Sequence, residues 1–194
     1  AEEESLHIYN GAFGKKSFDV ANKLTTKAKA FEFPLNTALN VDALDEFPFF
    51  NICQNETSNG TAVSNDTLKT VKKRFPDSII SVDATSSLGG SFLDFSSADI
   101  WYSSVQKCLG LPSGMGIILI NEQAIDKVKN KNLNLHYNDL LNLITNAELW
   151  QTTHTPNILS IHALAYTQAK TTNIHTIDIK AKKRQQTIIN KLEK

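Results

Sequence analysis

Short apolar segments alternate with amphipathic segments along most of the chain. Six of them have the β-branched and aromatic content of strands and are bounded by turn residues. They are LHIYN (6–10), AKAFEFP (28–34), FPFFNICQNE (47–56), SIISVDA (78–84), DIWYSSVQK (99–107) and GMGIILIN (114–121). The fourth is almost continuously apolar, which is typical of a strand buried on both faces of a parallel sheet.

Helical periodicity fills the intervals between the first strands. After the first strand, apolar residues recur every three to four positions and predict a helix with Ser17 as its N-cap. The segment SNDTLKTVKKRFP (64–76) predicts another helix, capped by Asn65 or Asp66 and stopped by its proline.

The second half of the chain is mostly helical. LNLHYNDLLNLIT (133–145) has a dense apolar face, and TPNILSIHALAYTQAK (155–170) places Pro156 at the first helical position. A last amphipathic helix is expected from about Asp178 to Lys194. Strands that alternate with helices predict an α/β protein with a mainly parallel sheet flanked by helices.

Composition narrows the classes of function. The 20 Lys and Arg residues balance the 20 Asp and Glu residues, so no excess charge favours nucleic acid or an anionic membrane. The chain opens without a basic start or an apolar signal region, and no apolar run reaches membrane-spanning length. The two cysteines lie far apart without metal-ligand spacing. We therefore expect a cytoplasmic protein with free thiols and no metal site.

Distinctive polar residues follow three of the predicted strands. A turn-rich segment, 55–60, follows the third strand, Asp83 ends the fourth, and Gln106 and Lys107 end the fifth. Each alone is explained better as turn chemistry, a helix cap or a solvated lysine. The carboxyl ends of neighbouring parallel strands meet at one rim, however, where ligands collect in open α/β sheets. Together the three ends bring a threonine hydroxyl, a carboxylate and an amine to one place.

These segments resemble one known family. The class V aminotransferases have a core that resembles NETSNG (55–60), VDATSSLGG (82–90), SSVQKCLGLPSGMGIILIN (103–121), HIYNGAFGKK (7–16) and HTPN (154–157). The family consists of pyridoxal-phosphate (PLP) enzymes of fold type I and includes phosphoserine and alanine– or serine–glyoxylate aminotransferases. The resemblance covers nearly the whole chain and implies the large domain of that fold, flanked by helices and present here as a partial chain.

The resemblance implies a role for three residues at the reacting centre. Lys107 would form a Schiff base with the cofactor aldehyde and later move the proton of the substrate's Cα. Asp83 would accept the pyridine N–H and keep the ring nitrogen protonated. Thr85, or its neighbour Ala84, would pack beneath the ring.

The other implied contacts surround the cofactor. Thr57 would hydrogen-bond near its phenolic oxygen, and Gln106 would help to hold its phosphate. Thr155 would reach the phosphate of the partner subunit's cofactor, because family active sites are completed across a homodimer. The family's phosphate-cupping helix start and ring-stacking aromatic do not occur before the first strand, and Trp101 and Trp150 are better explained as core residues.

We therefore expect the central piece of a longer aminotransferase. Residues 1–175 would form a PLP-binding large domain without the family's N-terminal segment, and residues 176–194 would begin the helix towards a missing small domain. The leading activity is L-phosphoserine:2-oxoglutarate transamination in serine biosynthesis, and the segment alone is expected to be inactive. The alternatives are alanine– or serine–glyoxylate transamination and a catalytically inactive scaffold.

Overall fold

A six-stranded sheet forms the centre of the protein, whose computed structural model describes residues 3–132 and 136–193. In chain order the strands are β1 (Ser5–Tyr9), β2 (Ala28–Glu32), β3 (Phe49–Cys53), β4 (Asn55–Glu56), β5 (Thr61–Ala62), β6 (Ile79–Asp83), β7 (Ile100–Ser104) and β8 (Gly116–Ile120). The sheet has the order β2-β1-β3-β6-β7-β8, while β4 and β5 form a separate antiparallel hairpin.

Helices connect the strands and cover the sheet. The described residues form α1 (Ala12–Leu24), α2 (Asn65–Arg74), α3 (Glu122–Lys131), α4 (Leu140–Glu148), α5 (Ile158–Lys170) and α6 (Ile174–Leu192). The sheet strands pair in parallel except β8, which runs antiparallel to β7. The predicted α/β fold with a mainly parallel sheet is confirmed. Among these helices, none combines the length and the apolarity needed to cross a bilayer.

One face of the sheet packs against α2 and forms the larger core cluster. Side chains alternate between the two faces of a strand, so every second residue of the central strands reaches this cluster. Its members from β3, β6 and α2 are Phe50, Ile52, Ile80, Val82, Leu68 and Val71, all fully buried. The hydroxyl of Ser64 caps α2 by accepting a hydrogen bond from the Thr67 amide at 3.1 Å. The predicted caps Asn65 and Asp66 are therefore wrong.

The opposite face of the sheet is more polar and lies against α1. The Tyr102 hydroxyl donates to Asn51 Oδ1 at 3.2 Å, and Asn51 Nδ2 donates to Ser17 Oγ at 2.9 Å. Ser17 thus lies inside α1 and bonds to the sheet, so the prediction that it caps this helix is wrong. Gly11 stands at the N-cap position instead.

Two later helices also begin at other residues than predicted. α5 begins after Asn157, whose side chain accepts from the Ser160 amide, so Pro156 precedes the helix. α6 begins after Asn173, before the predicted start near Asp178. In both cases an asparagine side chain accepts a hydrogen bond from a free amide of the first turn. Apolar periodicity alone does not show where such a cap lies. The apolar segment predicted over 133–145 lies partly outside the described residues.

The two tryptophans have opposite environments. Trp101 is 2% exposed and belongs to the main core, as predicted. Trp150 follows α4 and is 97% exposed, so its predicted place in a core is wrong. Its backbone has a positive φ of 57°, and its amide bonds to the carbonyl of Ala147 in the turn that ends α4.

Candidate active site

A cleft opens where β3, β6 and β7 end. These strands are parallel neighbours, so their carboxyl ends meet at one rim of the sheet. The cleft has a volume of about 160 Å³ and is lined by Phe13, Cys53, Asn55, Asp83, Thr85, Ser86, Gln106 and Lys107. Four residues with a role implied by the family resemblance therefore lie together at this rim, namely Asp83, Thr85, Gln106 and Lys107.

Lys107 lies in the turn that follows β7, with its side chain on the cleft. Its Nζ donates to Ser86 Oγ at 2.6 Å and stands 4.9 Å from the centre of the Phe13 ring. Within the described residues, no carboxylate lies close enough to form an ion pair with this amine. The amine is held by a neutral hydroxyl and an aromatic ring, which leaves it available to a ligand.

Asp83 ends β6 and is half-buried at the bottom of the same rim. Its Oδ1 accepts a hydrogen bond from the Thr85 amide at 2.9 Å, which fixes the carboxylate in the turn. Burial, with a further contribution from the Asp83 charge, raises the pKa of both Cys53 and Tyr102 to about 12. Both groups are thus protonated at neutral pH, and Asp83 supplies negative charge to the cleft.

Ser86 connects the turns that follow β6 and β7. Besides its hydroxyl contact with Lys107, its carbonyl accepts from Asn55 Nδ2 at 3.2 Å and from Cys108 Sγ at 3.4 Å. Gly90 permits the two turns to approach, because a Cβ there would lie 2.5 Å from the Cys108 sulfur. Neither Ser86 nor Asn55 has an individual role in the sequence-based prediction, since only the tertiary fold joins these turns.

Gln106 lies beside the lysine on the cleft. Its Oε1 accepts a hydrogen bond from the Ser104 hydroxyl, which orients the amide from the end of β7. The Gln106 side chain is exposed, so its nitrogen can reach a ligand at the mouth of the cleft.

Phe13 is the residue that the sequence reasoning missed. It stands at the start of α1, half-exposed, with its ring over the Lys107 amine. The resemblance implied a ring-stacking aromatic before the first strand, whereas the fold brings Phe13 from the Gly-Ala-Phe-Gly segment (11–14) after it. The segment HIYNGAFGKK (7–16) contains this phenylalanine, but its resemblance to the family implied only a strand and a turn there.

Thr57 and Thr155 lie outside this cleft lining. Thr57 occupies the exposed turn between β4 and β5, and Thr155 occupies an exposed segment before α5. Ala84 is fully buried in the core, so Thr85 is the one of that pair which faces the cleft. The roles implied for Thr57 and Thr155 stay predictions.

Curated proteins similar in sequence to this chain include several aminotransferases. No family model matches the chain. The phosphoserine aminotransferase of Rhodococcus opacus (strain B4) is 28% identical over 169 residues, which is 84% of this chain and 44% of that enzyme. That of Campylobacter jejuni subsp. jejuni (strain 81-176) is 30% identical over 156 residues, covering 78% of this chain and 40% of the enzyme.

Solved structures agree with these relatives. The phosphoserine aminotransferase of Cytophaga hutchinsonii superposes with a TM-score of 0.78 at 28% identity, over 88% of this chain and 49% of that structure. These relatives and this structural neighbour are class V aminotransferases. The alanine–glyoxylate aminotransferase of Nostoc sp. has a TM-score of 0.85 at 20% identity, over 98% of this chain and 54% of that structure, and shows the shared fold.

The likeness to class V aminotransferases extends over part of each enzyme. The chain spans less than half the length of the two curated relatives described above.

Proposed function

We propose that the protein is a PLP-dependent aminotransferase and that the cleft at the ends of β3, β6 and β7 is its active site. The observation that carries the proposal is the placement of Lys107 and Asp83 on one cleft, at the ends of adjacent parallel strands. An unpaired amine and a fixed carboxylate are the two groups that covalent chemistry on a pyridine aldehyde requires. The sequence and structural relatives support the same class of reaction.

The residues present suit this cofactor. Within the described residues, Asp83 Oδ2 has no hydrogen-bond partner, so it can accept a protonated ring nitrogen. Phe13 offers a flat apolar ring on the same cleft, and Thr85 lines the cleft beside Asp83. A carboxylate, an amine and an aromatic face thus surround one small space.

PLP, when bound, supplies a ring system that takes up the electron pair left behind when a substrate loses its Cα proton. The chain's own residues supply the rest of the chemistry. Lys107 would hold the cofactor through Nζ, and the same Nζ would take and return the Cα proton of a bound substrate. Ser86 Oγ, 2.6 Å from Nζ, orients the amine, and Asp83 would hold the protonated ring nitrogen.

The remaining parts of the hypothesis concern phosphate binding and assembly. Gln106 would bind the cofactor phosphate at the mouth of the cleft, and Thr57 would approach the cofactor from the hairpin turn. Thr155 would act on the cofactor of a partner subunit, which requires a homodimer with shared active sites. We also infer a cytoplasmic enzyme in which residues 1–175 are the PLP-binding domain and residues 176–194 lead to a small domain.

The proposed substrates are L-phosphoserine and 2-oxoglutarate, which would place the enzyme in serine biosynthesis. Two curated relatives and the structure at 28% identity are phosphoserine aminotransferases, which supports this choice. Alanine or serine with glyoxylate is the pair to compare with it.

The test is covalent trapping on the full-length protein. We expect added PLP to form an adduct that borohydride makes permanent, and mass spectrometry to find it on the peptide that carries Lys107. Lys107→Ala should lose the adduct, whereas Lys183→Ala, a change on the exposed face of α6, should keep it. If the full-length protein forms no reducible adduct at Lys107, the proposal fails. An adduct without amino transfer from any donor would indicate the inactive scaffold.

A further inference from the structure

Glu56 is a buried carboxylate that ends the short strand β4, next to the cleft residue Asn55. It is 2% exposed. Its Oε2 accepts from the amides of Phe13 and Gly14 at 3.1 and 2.9 Å, and its Oε1 accepts from the Ser58 amide and hydroxyl at 3.1 and 2.6 Å. The carboxylate therefore joins the β4–β5 hairpin to the first turn of α1.

The charge of Glu56 is matched by a helix end. Within the described residues, no lysine or arginine pairs with this carboxylate. The free amides at the N-terminus of α1 carry partial positive charge and accept an anion favourably. Burial alone raises the pKa of Glu56, but the hydrogen bonds from Ser58, Gly14 and Phe13 outweigh it and lower the pKa overall. Glu56 thus stays ionised at neutral pH.

Neighbouring contacts make this junction close-fitting. The Ser58 hydroxyl accepts from the Ala12 amide at 2.9 Å, and Asn59 Nδ2 donates to the Asn10 carbonyl at 2.9 Å. A Cβ at Gly11 would lie 2.3 Å from Glu56 Cγ, so the carboxylate reaches the helix only because residue 11 is glycine. The whole turn 10–14 is therefore held by the hairpin.

Two lining residues of the cleft depend on this junction. Phe13 donates its own amide to Glu56 while its ring stands over Lys107, and Asn55 directly precedes Glu56. An α1 end that loses its anion has unsatisfied amides and frays, which would move the Phe13 ring.

We propose that Glu56 is a positioning residue that fills the anion site at the N-terminus of α1 and thereby holds the Phe13 ring against the Lys107 amine. The inference rests on the proposed function, because the ring acts on a cofactor bound to Lys107. It also follows that the cofactor phosphate must bind elsewhere, since an internal carboxylate already occupies the α1 amides.

The experiment removes the internal anion and then replaces it. In the full-length Glu56→Ala protein we expect the Kd for PLP, measured by titrating the absorbance of the bound cofactor, to rise about tenfold. Formate should restore most of the affinity, because its carboxylate can bind the vacated amides. Chloride at the same ionic strength should not restore it, because a spherical ion cannot replace the two oxygens of a carboxylate. Affinity equal to that of the wild type would overturn the proposal.

A control separates the α1 contact from the loss of a carboxylate that accepts hydrogen bonds within a turn. Asp94 accepts from the Ser96 amide and hydroxyl at 3.0 and 2.6 Å, just as Glu56 accepts from Ser58, but among the described residues its carboxylate pairs with Lys69 of α2 and forms no hydrogen bond with α1. Asp94→Asn should leave PLP affinity unchanged and show no response to formate. An equal loss in this variant would show a general structural effect and overturn the proposal.

Amide exchange tests the junction without the cofactor. The amides of Phe13 and Gly14 should exchange slowly in the wild type, faster in Glu56→Ala, and slowly again with formate, as followed by NMR. If the wild type does not trap PLP, the proposed function fails. The exchange measurement then decides by itself whether Glu56 holds the amides at the N-terminus of α1. If Glu56→Ala does not fold, Ser58→Ala should show smaller changes in the same direction, and an unchanged Kd and unchanged exchange in it would overturn the proposal.

Discussion

Two lysine–aspartate combinations lie at opposite ends of the same sheet, and they differ in how completely they are paired. Lys72 Nζ is 2.8 Å from Asp99 Oδ2, and the Asp99 side chain is fully buried just before β7. Asp99 also accepts from the Ile80 amide and from Asn121 Nδ2, both at 2.8 Å. At the cleft, the Asp83 carboxylate bonds to the Thr85 amide of its own turn, and the Lys107 amine bonds to a hydroxyl.

The difference follows from how deeply each carboxylate is buried. A buried charge is tolerated only where a counter-charge and hydrogen bonds satisfy it, so the Lys72–Asp99 pair is closed and joins α2 to the sheet. At the cleft, the same two residue types remain separate and partly exposed, so each can be used by a ligand. The two lysines therefore differ in pairing. Lys72 is held by a buried carboxylate, whereas Lys107 contacts a neutral hydroxyl.

The largest effect is expected at Lys107. Lys107→Ala removes both the covalent partner and the proton carrier, so we expect amino transfer to fall at least about 1,000-fold. The free energy of unfolding should change by less than about 0.5 kcal/mol, because this side chain is exposed. Steady-state rates and chemical denaturation measure the two effects. A large loss of stability would show that Lys107 is a structural lysine after all.

Asp83→Asn should have the next largest effect. Asparagine keeps an oxygen for the Thr85 amide, so the turn should be preserved while the charge is lost. We expect kcat to fall about 100- to 1,000-fold, as for other preorganised electrostatic groups, with trapping at Lys107 retained. The pKa of the Cys53 thiol should also fall, because the Asp83 charge contributes to raising it. Asp126→Asn, on the exposed part of α3, is the control and should change neither quantity.

Lys72→Met tests the paired end of the sheet. It leaves the Asp99 carboxylate buried without its cation, so we expect a loss of about 3 kcal/mol in the free energy of unfolding. Lys69→Met, three residues earlier on α2, breaks the more exposed pair with Asp94 and should cost clearly less stability. Urea denaturation of both variants checks the difference. Equal costs would mean that burial does not distinguish these pairs.

The smallest effect is a pH dependence at Glu56, a buried acid whose partner is a helix end rather than a lysine. Its folded pKa lies below the ordinary value of 4.5, so the unfolded chain binds the proton more readily. Its stabilising contribution is complete above pH 4.5 and is lost as the pH falls through the folded pKa. Glu56→Gln should therefore lose less stability on acidification than the wild type, as measured in denaturation series at several pH values. Asp94, whose pKa is lowered to about 2, contributes in the same direction to both proteins and cancels from the difference.

Much of the fold followed from local patterns. The predicted strands coincide with β1, β2, β3, β6, β7 and β8, because apolar runs bounded by turn residues are a strong local signal. The predicted helix caps were wrong where another side chain, near or far in the chain, accepts the hydrogen bonds of the first-turn amides. Ser64 caps α2 one residue before the prediction, and the α1 amides are satisfied by Glu56, 42 residues from Gly14.

What the sequence determined by itself was the set of strands and the groups Asp83, Gln106 and Lys107 placed at their ends, because a strand's residues and its end are local properties. Only the tertiary structure decided that Phe13, Asn55 and Ser86 share the cleft, and that Glu56 closes the end of α1. It also decided that Lys72 is paired and Lys107 is not. The physical reason is that strand order and helix placement determine distances between residues far apart in the chain, and those distances decide which charges meet.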